Sequence, residues 1–568
     1  MDSEMERSDR VVSRRDFLRI CGIGASAAAI SALTGCGGGA QSTTAPESTS
    51  PTAAPTDAPA AVPTEAPAAT PTVVVPQQSG EIVAALGEDW QTLDPHVQAR
   101  IAGWTIHNHI YDTLVEWDAN GELVPSLAES WTSIDDRTWE FKLRKGVKFH
   151  NGEDFDAESV KSTLERIFDE DLAASLKTFW EEIEDIEIKD GHTVRVRTVE
   201  PFGPIFAALT ITNITPPSAN EQGDDYWNGQ PVGTGPFRVE QYEKGQFLEL
   251  VANTDYWQSG VPNLERLTFR FIQEMSTRMA ALLAGEVQFV DRVPPDMIAQ
   301  IESDSRLQII HSPSVEAQYI GLNCGRAPFN DKRVRQAFNY AVDKQKLIDD
   351  LLLGNGTVAD APIAPGVFGY PSGKPFEYDL EKARALIAEA GYADGLPDLE
   401  LIILKGVYTK GLEVAEAIAG QLKEIGANVS VNDLEPAVHW PRRRDGEYDM
   451  AFVGWSCMTR DADFSIYRCY YGGPEGDGTY EAPSGEKFQN WLRYRNPDAD
   501  KHIEVGRYSS DQDERRAAYE EASNIVFDDA PWLWLYFTEI IDAADSQMVG
   551  FEQLPQHVKL FRKASLTS

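Results

Sequence analysis

At 568 residues the chain exceeds what one ordinary hydrophobic core supports, so two or more lobes are expected. With 42% hydrophobic and 25% charged residues it has the make-up of a soluble globular protein, and its net charge of −39 excludes the basic face that nucleic-acid binding requires. The same charge discourages close contact with anionic lipid, and because residues 1–35 hold five basic and five acidic side chains, the acidity belongs to the rest of the chain.

The first 36 residues read as an address. Ser13-Arg14-Arg15-Asp16-Phe17-Leu18-Arg19 fits the twin-arginine export pattern, and a mildly apolar, Ala-rich stretch runs on from Ile20 to Leu33. That stretch is too short and too weakly hydrophobic for a comfortable membrane span. Leu33-Thr34-Gly35-Cys36 looks like a bacterial lipobox, which implies cleavage before Cys36 and lipid attachment to its thiol. Gly22-Ile23-Gly24-Ala25-Ser26-Ala27 mimics a dinucleotide-binding fingerprint, but no strand precedes it. Residues 37–80 are rich in Pro, Ala, Thr and Ser with no Lys or Arg, a composition that builds no core. At about 3.1 Å per residue where extended, this tether reaches on the order of 100 Å. Beyond it lie Cys324, Cys457 and Cys469, enough for one disulfide and one thiol over. A Cys457–Cys469 bond would staple the loop between them, but the sequence does not choose the pair.

The folded part begins with a strand-like run, Glu81 to Leu86. From His109 the pattern predicts a helix to about Val115, a turn at Asn120-Gly121 and a short amphipathic helix near Pro125 to Ser130. Trp139, Phe141 and Leu143 alternate with Glu140, Lys142 and Arg144, a strand pattern that recurs over 192–199. Between these strands, Asp156 caps a helix over 156–168. Residues 231–257 predict two strands around Lys244-Gly245. From Arg278 onward short apolar strands alternate with amphipathic helices, one of which, over 381–390, meets Gly391 where a left-handed C-cap belongs. This alternation predicts a mostly parallel sheet covered by helices.

Late in that alternation stands GEYDMAFVGWSCMTRDADF, Gly446 to Phe464. Met450 to Val453 form a buried-strand pattern that runs into Gly454-Trp455, and polarity then changes abruptly at Arg460, Asp461 and Asp463. In parallel α/β sheets ligands bind beyond the carboxyl ends of strands, and Trp455 stands at such an end. The alternative is a core tryptophan leading into a solvated loop.

The order of motifs resembles a known family. "LVPSLAESW", "DDRTWEFKLRKGVKFHNGEDFDAESV", "PVGTGPFRVEQY", "YIGLNCGRAPFNDKRVRQAFNYAVDKQKL", "KARALIAEAGY" and "YDMAFVGWS" are similar to the large extracytoplasmic solute-binding proteins of ABC importers, the peptide/nickel-binding family 5. The resemblance runs from about Glu81 to Lys563. It implies an α/β, two-lobed periplasmic-binding-protein-like fold (type II, large cluster-C type) with an extra α+β domain inserted in lobe I. The corresponding bounds are 81–123 with 218–311 and 541–568 for lobe I, 124–217 for the inserted domain and 312–540 for lobe II. Ligand would be enclosed between the lobes, and the closed form would be what the permease recognises.

In peptide-binding relatives an aspartate three residues after the "GW" tryptophan pairs with the peptide ammonium; here that position is Met458. Asp461 and Asp463 come three and five residues later, so Asp461 takes that role through a different loop path or the ligand carries no ammonium there. The residues assigned to the ligand are Trp455, Gly454, Met458, Asp461 and Asp463, with Asn323 at the end of "AQYIGLN" and Trp440 as a further flat apolar face. Trp104 is another aromatic near an element end. For Asn323 a structural role is equally open. His107 and His109 are two apart on a helix and diverge, which argues against bidentate metal ligation, and His150 reads as structural.

No H-E-x-x-H, G-x-S-x-G or G-x-x-x-x-G-K-[ST] motif occurs, no catalytic residue or cofactor is assigned, and Gly354-Asn355-Gly356 comes after a helix and not a strand. The reading is a monomeric, lipid-anchored, extracytoplasmic binder of peptides or related solutes that works with permease and ATPase subunits on separate chains. A sensory input protein, an oligosaccharide or metal-complex binder and an extracytoplasmic hydrolase are the alternatives.

Overall fold

The structure, a computed structural model, describes residues 80–97, 101–118, 121–180, 183–220, 222–473, 479–481 and 487–567. The export signal, Cys36 and the tether up to residue 79 lie outside the described residues, as does Asn120 of the expected turn. Along the chain the strands are β1 (Glu81–Leu86), β2 (Val115–Trp117), β3 (Leu123–Pro125), β4 (Ala128–Asp135), β5 (Thr138–Leu143), β6 (Ile183–Asp190) and β7 (Thr193–Thr198). Next come β8 (Phe237–Glu243), β9 (Phe247–Ala252), β10 (Arg266–Phe271), β11 (Phe289–Val290), β12 (Leu307–Leu322) and β13 (Gly356–Val358). The chain continues through β14 (Leu399–Leu404), β15 (Val429–Leu434), β16 (Met450–Ser456), β17 (Thr479–Glu481), β18 (Lys487–Gln489) and β19 (Trp532–Asp545).

One sheet of 11 strands runs in the order β15-β14-β16-β12-β19-β11-β1-β10-β9-β8, with β13 pairing β19. The two long strands, β12 and β19, belong to both halves of it. Leu307 to Pro313 pair with Asp545 to Glu539, and Ala317 to Gly321 pair with Phe537 to Trp532, with the ladder interrupted between Pro313 and Ala317. The register then carries β12 on to β16, Ala317 opposite Trp455 and Glu316 opposite Ser456. "WLWLYF" in β19 is buried throughout because successive residues enter different cores. Trp532 and Trp534 join Tyr319 on one face, while Leu533 and Leu535 join Ile320 on the other.

The separate four-stranded antiparallel sheet, β4-β5-β7-β6, packs on the helix Ala157–Ile167. Asp156 caps that helix by accepting from the Glu158 and Ser159 amides, as its position ahead of the periodic run predicts.

Three expectations need correction. The helix expected near Pro125 to Ser130 is instead the end of β3 and the start of β4, where Ser130 pairs with Lys142. Six residues hold too few turns for periodicity to separate helix from strand, and the neighbouring β5 decides. The helix from His109 ends at Ile110, short of Val115, because the Ile110 carbonyl is taken by the Gly235 amide at 2.9 Å. The large sheet is mixed, not mostly parallel: β12 runs antiparallel to both β16 and β19, while β14 is parallel to β15 and β16. Hydrophobic pattern reports burial on both faces and is silent about strand direction. The α/β, two-lobed class stands. Gly391 adopts the left-handed conformation at the end of helix Leu380–Glu389. Cys324, Cys457 and Cys469 are free thiols.

His109 shows how the helix Ile101–Ile110 is tied to the C-terminal segment. Its Nδ1–H donates to the Thr105 carbonyl at 2.7 Å, and its Nε2 accepts from the Phe561 amide at 3.0 Å, which fixes a neutral tautomer. Burial lowers its pKa from 6.5 to about 4. The stability it contributes is therefore fully present above pH 6.5, where the unfolded side chain is also neutral, and is lost as pH falls through 4. Hydrogen exchange at the Phe561 amide should accelerate, relative to amides of the β12–β19 ladder, as pH is lowered across that window. An unchanged ratio would remove His109 from this role.

Candidate ligand-binding site

The residues around the end of β16 meet the first part of the chain along a seam. Met450 to Val453 are buried, and Gly454 to Ser456 become half-buried as the strand leaves the sheet. The Trp455 indole donates from Nε1 to Ser465 Oγ at 3.1 Å and stacks on Phe464, ring centres 5.4 Å apart. Phe464 in turn stacks on Phe179 at 5.2 Å, and Phe179 meets the edge of Trp104 at 6.3 Å. Four aromatic rings thus form a column from β16 to the helix Ile101–Ile110. Polar contacts flank it: Trp117 Nε1 donates to the Thr459 carbonyl at 3.0 Å, and Arg460 Nη1 donates to the Asp118 carbonyl at 3.1 Å. Arg468 donates to the Thr178 carbonyl with its guanidinium over both Phe179 and Phe464. Met458 packs against the apolar cluster that includes Trp104, Leu554 and Val558.

Beside the column lies a pocket whose walls include Trp104, Trp117, Asn213, Leu554, Gln556 and Arg562. Four buried polar atoms of these side chains, Trp104 Nε1, Asn213 Nδ2, Gln556 Oε1 and Arg562 Nε, have no protein partner. Buried polar atoms are ordinarily hydrogen-bonded, so such a group is what a polar solute or its water would satisfy. Arg562 is itself held by Glu116, Nη2 to Oε2 at 2.8 Å. Burial alone would push the Glu116 carboxyl up, but the Arg562 charge holds it below the ordinary range. The pair therefore stays ionised and fixes the Arg562 head.

The sequence-assigned residues divide by what they touch. Gly454, Trp455 and Met458 lie along the seam. Asp461 and Asp463 come next on the same loop with their carboxylates engaged by the helices Pro497–Tyr508 and Gln512–Asp529: Arg515 Nη2 is 2.9 Å from both oxygens of Asp461. Asp463 accepts from Arg507 Nη1 at 2.7 Å and from the Tyr519 hydroxyl at 2.9 Å. Asn323 is buried at the end of β12, donating to the Gly446 and Tyr448 carbonyls at 3.1 and 3.0 Å and accepting from the Gly325 amide at 3.2 Å. Trp440 is 50% exposed on the helix Pro436–Asp445, against His439 and Arg443 of the same helix. The pocket residues Asn213, Gln556 and Arg562 escaped the sequence reading, because they converge from segments hundreds of residues apart and none sits in a periodic pattern. His107 and His109 are buried, and burial lowers both to about 4; among the described residues no group of three metal-ligating side chains occurs.

Comparison with known proteins agrees with this architecture. The family described as bacterial extracellular solute-binding proteins, family 5 Middle, matches residues 122–477, more than half of the chain. The glutathione-binding protein GsiB of Salmonella paratyphi A is 28% identical over 502 residues, covering 86% of this chain and 94% of that protein. The Helicobacter pylori periplasmic binding protein DppA, solved with the peptide STSA, is 28% identical with a TM-score of 0.70, covering 86% of this chain and 98% of that one. The binding protein AgaA of A. tumefaciens R10, solved with agropinic acid, is 27% identical with a TM-score of 0.69, covering 86% and 99%.

Proposed function

Because the chain belongs to the bacterial extracellular solute-binding proteins of family 5, we propose that it captures a peptide or peptide-like solute between its lobes and hands it to a membrane permease. Family members are binding proteins and not enzymes, and they work with ABC permease components outside the cytoplasm. The observation that carries the reading is the seam itself. The stacked rings of Trp455, Phe464 and Phe179 form an apolar wall along the seam, and the pocket beside it is lined by Trp104, Trp117, Asn213, Gln556 and Arg562, a mixture of aromatic and polar side chains suited to a small organic solute. Glutathione and STSA, named for two relatives, are both short peptides, while agropinic acid shows that the fold also takes other small organic solutes.

The same reading places Gly454, Trp455 and Met458 at the ligand, with Asp461 and Asp463 bracing the loop that carries them. It adopts the lobe and inserted-domain bounds given above, a monomeric state, twin-arginine export and an anchor through lipidated Cys36, with residues 37–80 as the tether. Calorimetric titration with glutathione, di- to pentapeptides, agropinic acid and oligosaccharides tests it, and binding of none of these would defeat it. Trp455→Ala is expected to weaken whichever solute binds by more than about tenfold, the scale of one lost aromatic face, while far-UV circular dichroism stays unchanged. Unaltered affinity would take Trp455 out of the site.

A further inference from the structure

One carboxylate at the seam makes no ion pair with a lysine or arginine among the described residues. Glu316 stands in the interruption of the β12–β19 ladder, directly opposite Ser456 of β16, and its side chain is 25% exposed. Among the described residues no lysine or arginine comes within ion-pair distance of it. Arg292, the cation whose charge reaches it, is turned to Glu88 at 2.7 Å and Asp291 at 3.7 Å. His557 Nε2 is 3.5 Å away, but burial lowers that imidazole to about 3 and leaves it neutral.

What surrounds Glu316 is a set of acceptors. Gln318 Nε2 donates to Glu316 Oε1 at 2.6 Å, which turns the other end of the amide, Gln318 Oε1, into a buried oxygen without a partner. Ser456 Oγ is also buried without a partner. Antiparallel register puts Glu316 and Ser456 on one face, with Gln318 and Gly454 the next pair along it. Gly454 lets these side chains approach the strand closely: a Cβ there would come within 2.8 Å of Gln318 Nε2, 2.8 Å of Tyr408 Cε1 and 3.0 Å of Glu316 Oε1. A carboxylate outside ion-pair distance of any described lysine or arginine, beside two side-chain oxygens without partners, complements a group with positive charge and several N–H donors.

We propose that Glu316 receives a primary ammonium group of the bound solute, with Gln318 Oε1 and Ser456 Oγ accepting from its remaining hydrogens. The assignment rests on the solute-binding reading and narrows it to amine-bearing solutes such as peptides with a free amino terminus. It also explains how an ammonium is held although Met458 carries no charge and Asp461 is engaged by Arg515. Burial alone raises the Glu316 carboxyl; an arriving cation would lower it again and keep it ionised.

The test titrates glutathione and the tetrapeptide Ser-Thr-Ser-Ala, each with its N-acetylated form, into the full chain and into Glu316→Gln. The free-amine form is expected to bind the unaltered protein at least about tenfold more tightly than the acetylated form, a factor typical of one desolvated charge pair. Glu316→Gln should abolish that preference by weakening only the free-amine form. If that variant does not fold, Ser456→Ala reads the same preference and should reduce it. Equal binding of both forms by the unaltered protein, or a preference that survives the substitution, overturns the assignment and leaves solute binding intact. Binding of no probe overturns both.

Discussion

Replacing Gly233 by alanine is expected to destabilise the protein by about 3 kcal/mol or more, in the range reserved for steric conflict in a rigid setting. A Cβ at this position would stand 2.0 Å from the Ile110 carbonyl oxygen and 2.6 Å from Tyr111 Cδ1. Neither neighbour can yield. The Ile110 carbonyl ends the helix Ile101–Ile110 and is bonded to the Gly235 amide, and buried Tyr111 is held by its hydroxyl to the Leu93 carbonyl at 2.9 Å. Gly235 is equally confined, its Cβ direction meeting the Ile110 carbonyl carbon at 2.5 Å. The Gly-Thr-Gly-Pro-Phe motif is thus a place where one backbone lies directly against another. Gly420, exposed in the helix Gly411–Leu422 with open space at its Cβ direction, supplies the contrast. Alanine there should stabilise by about 1 kcal/mol through helix propensity. Denaturant midpoints of the two variants should move in opposite directions, and a neutral Gly233→Ala would refute the packing argument.

Arg515→Met should cost about 3–5 kcal/mol, because it strands the Asp461 carboxylate in a buried setting without its cation. Arg515 is almost wholly enclosed, donates from Nε to the Gly506 carbonyl at 2.8 Å, and lies where a Cβ on Gly203 would touch it at 2.3 Å. Removing both charges together, Asp461→Leu with Arg515→Met, should recover most of the loss, since desolvation of the pair offsets much of its attraction. A double variant no better than the single one would show that the guanidinium's other contacts dominate. The two unfolding free energies decide between these outcomes.

Local structure was largely legible in the sequence where side chains alternate cleanly or a cap precedes a periodic run. Trp139, Phe141 and Leu143 marked β5, Asp156 marked its helix, and Lys244-Gly245 marked the turn between β8 and β9. Strand direction was not legible, because β12, β16 and β19 are buried on both faces and read alike whichever way they run. The Pro125–Ser130 segment was misread because its pairing partner, Lys142, is not a local neighbour. At the candidate site, the strand pattern ending in Gly454-Trp455 pointed to the seam. The polar pocket did not announce itself: Asn213, Gln556 and Arg562 are single residues in unpatterned segments that only tertiary structure assembles. Glu316 was hidden for a further reason, since its distinction is the absence of a lysine or arginine ion pair among the described residues, which no sequence records.

The sharing of β12 and β19 between both halves of the large sheet has a mechanical corollary. Two parts joined by a loose linker could swivel freely; two parts threaded by the same pair of strands must twist a hydrogen-bonded ribbon. The ladder skips between Pro313 and Ala317 and again between Gln318 and Tyr319, and such irregularities bend and twist a strand pair locally. Torsional stiffness there would govern how fast a cargo is let go, so substitutions remote from the cargo could alter residence time while leaving every contact with it in place.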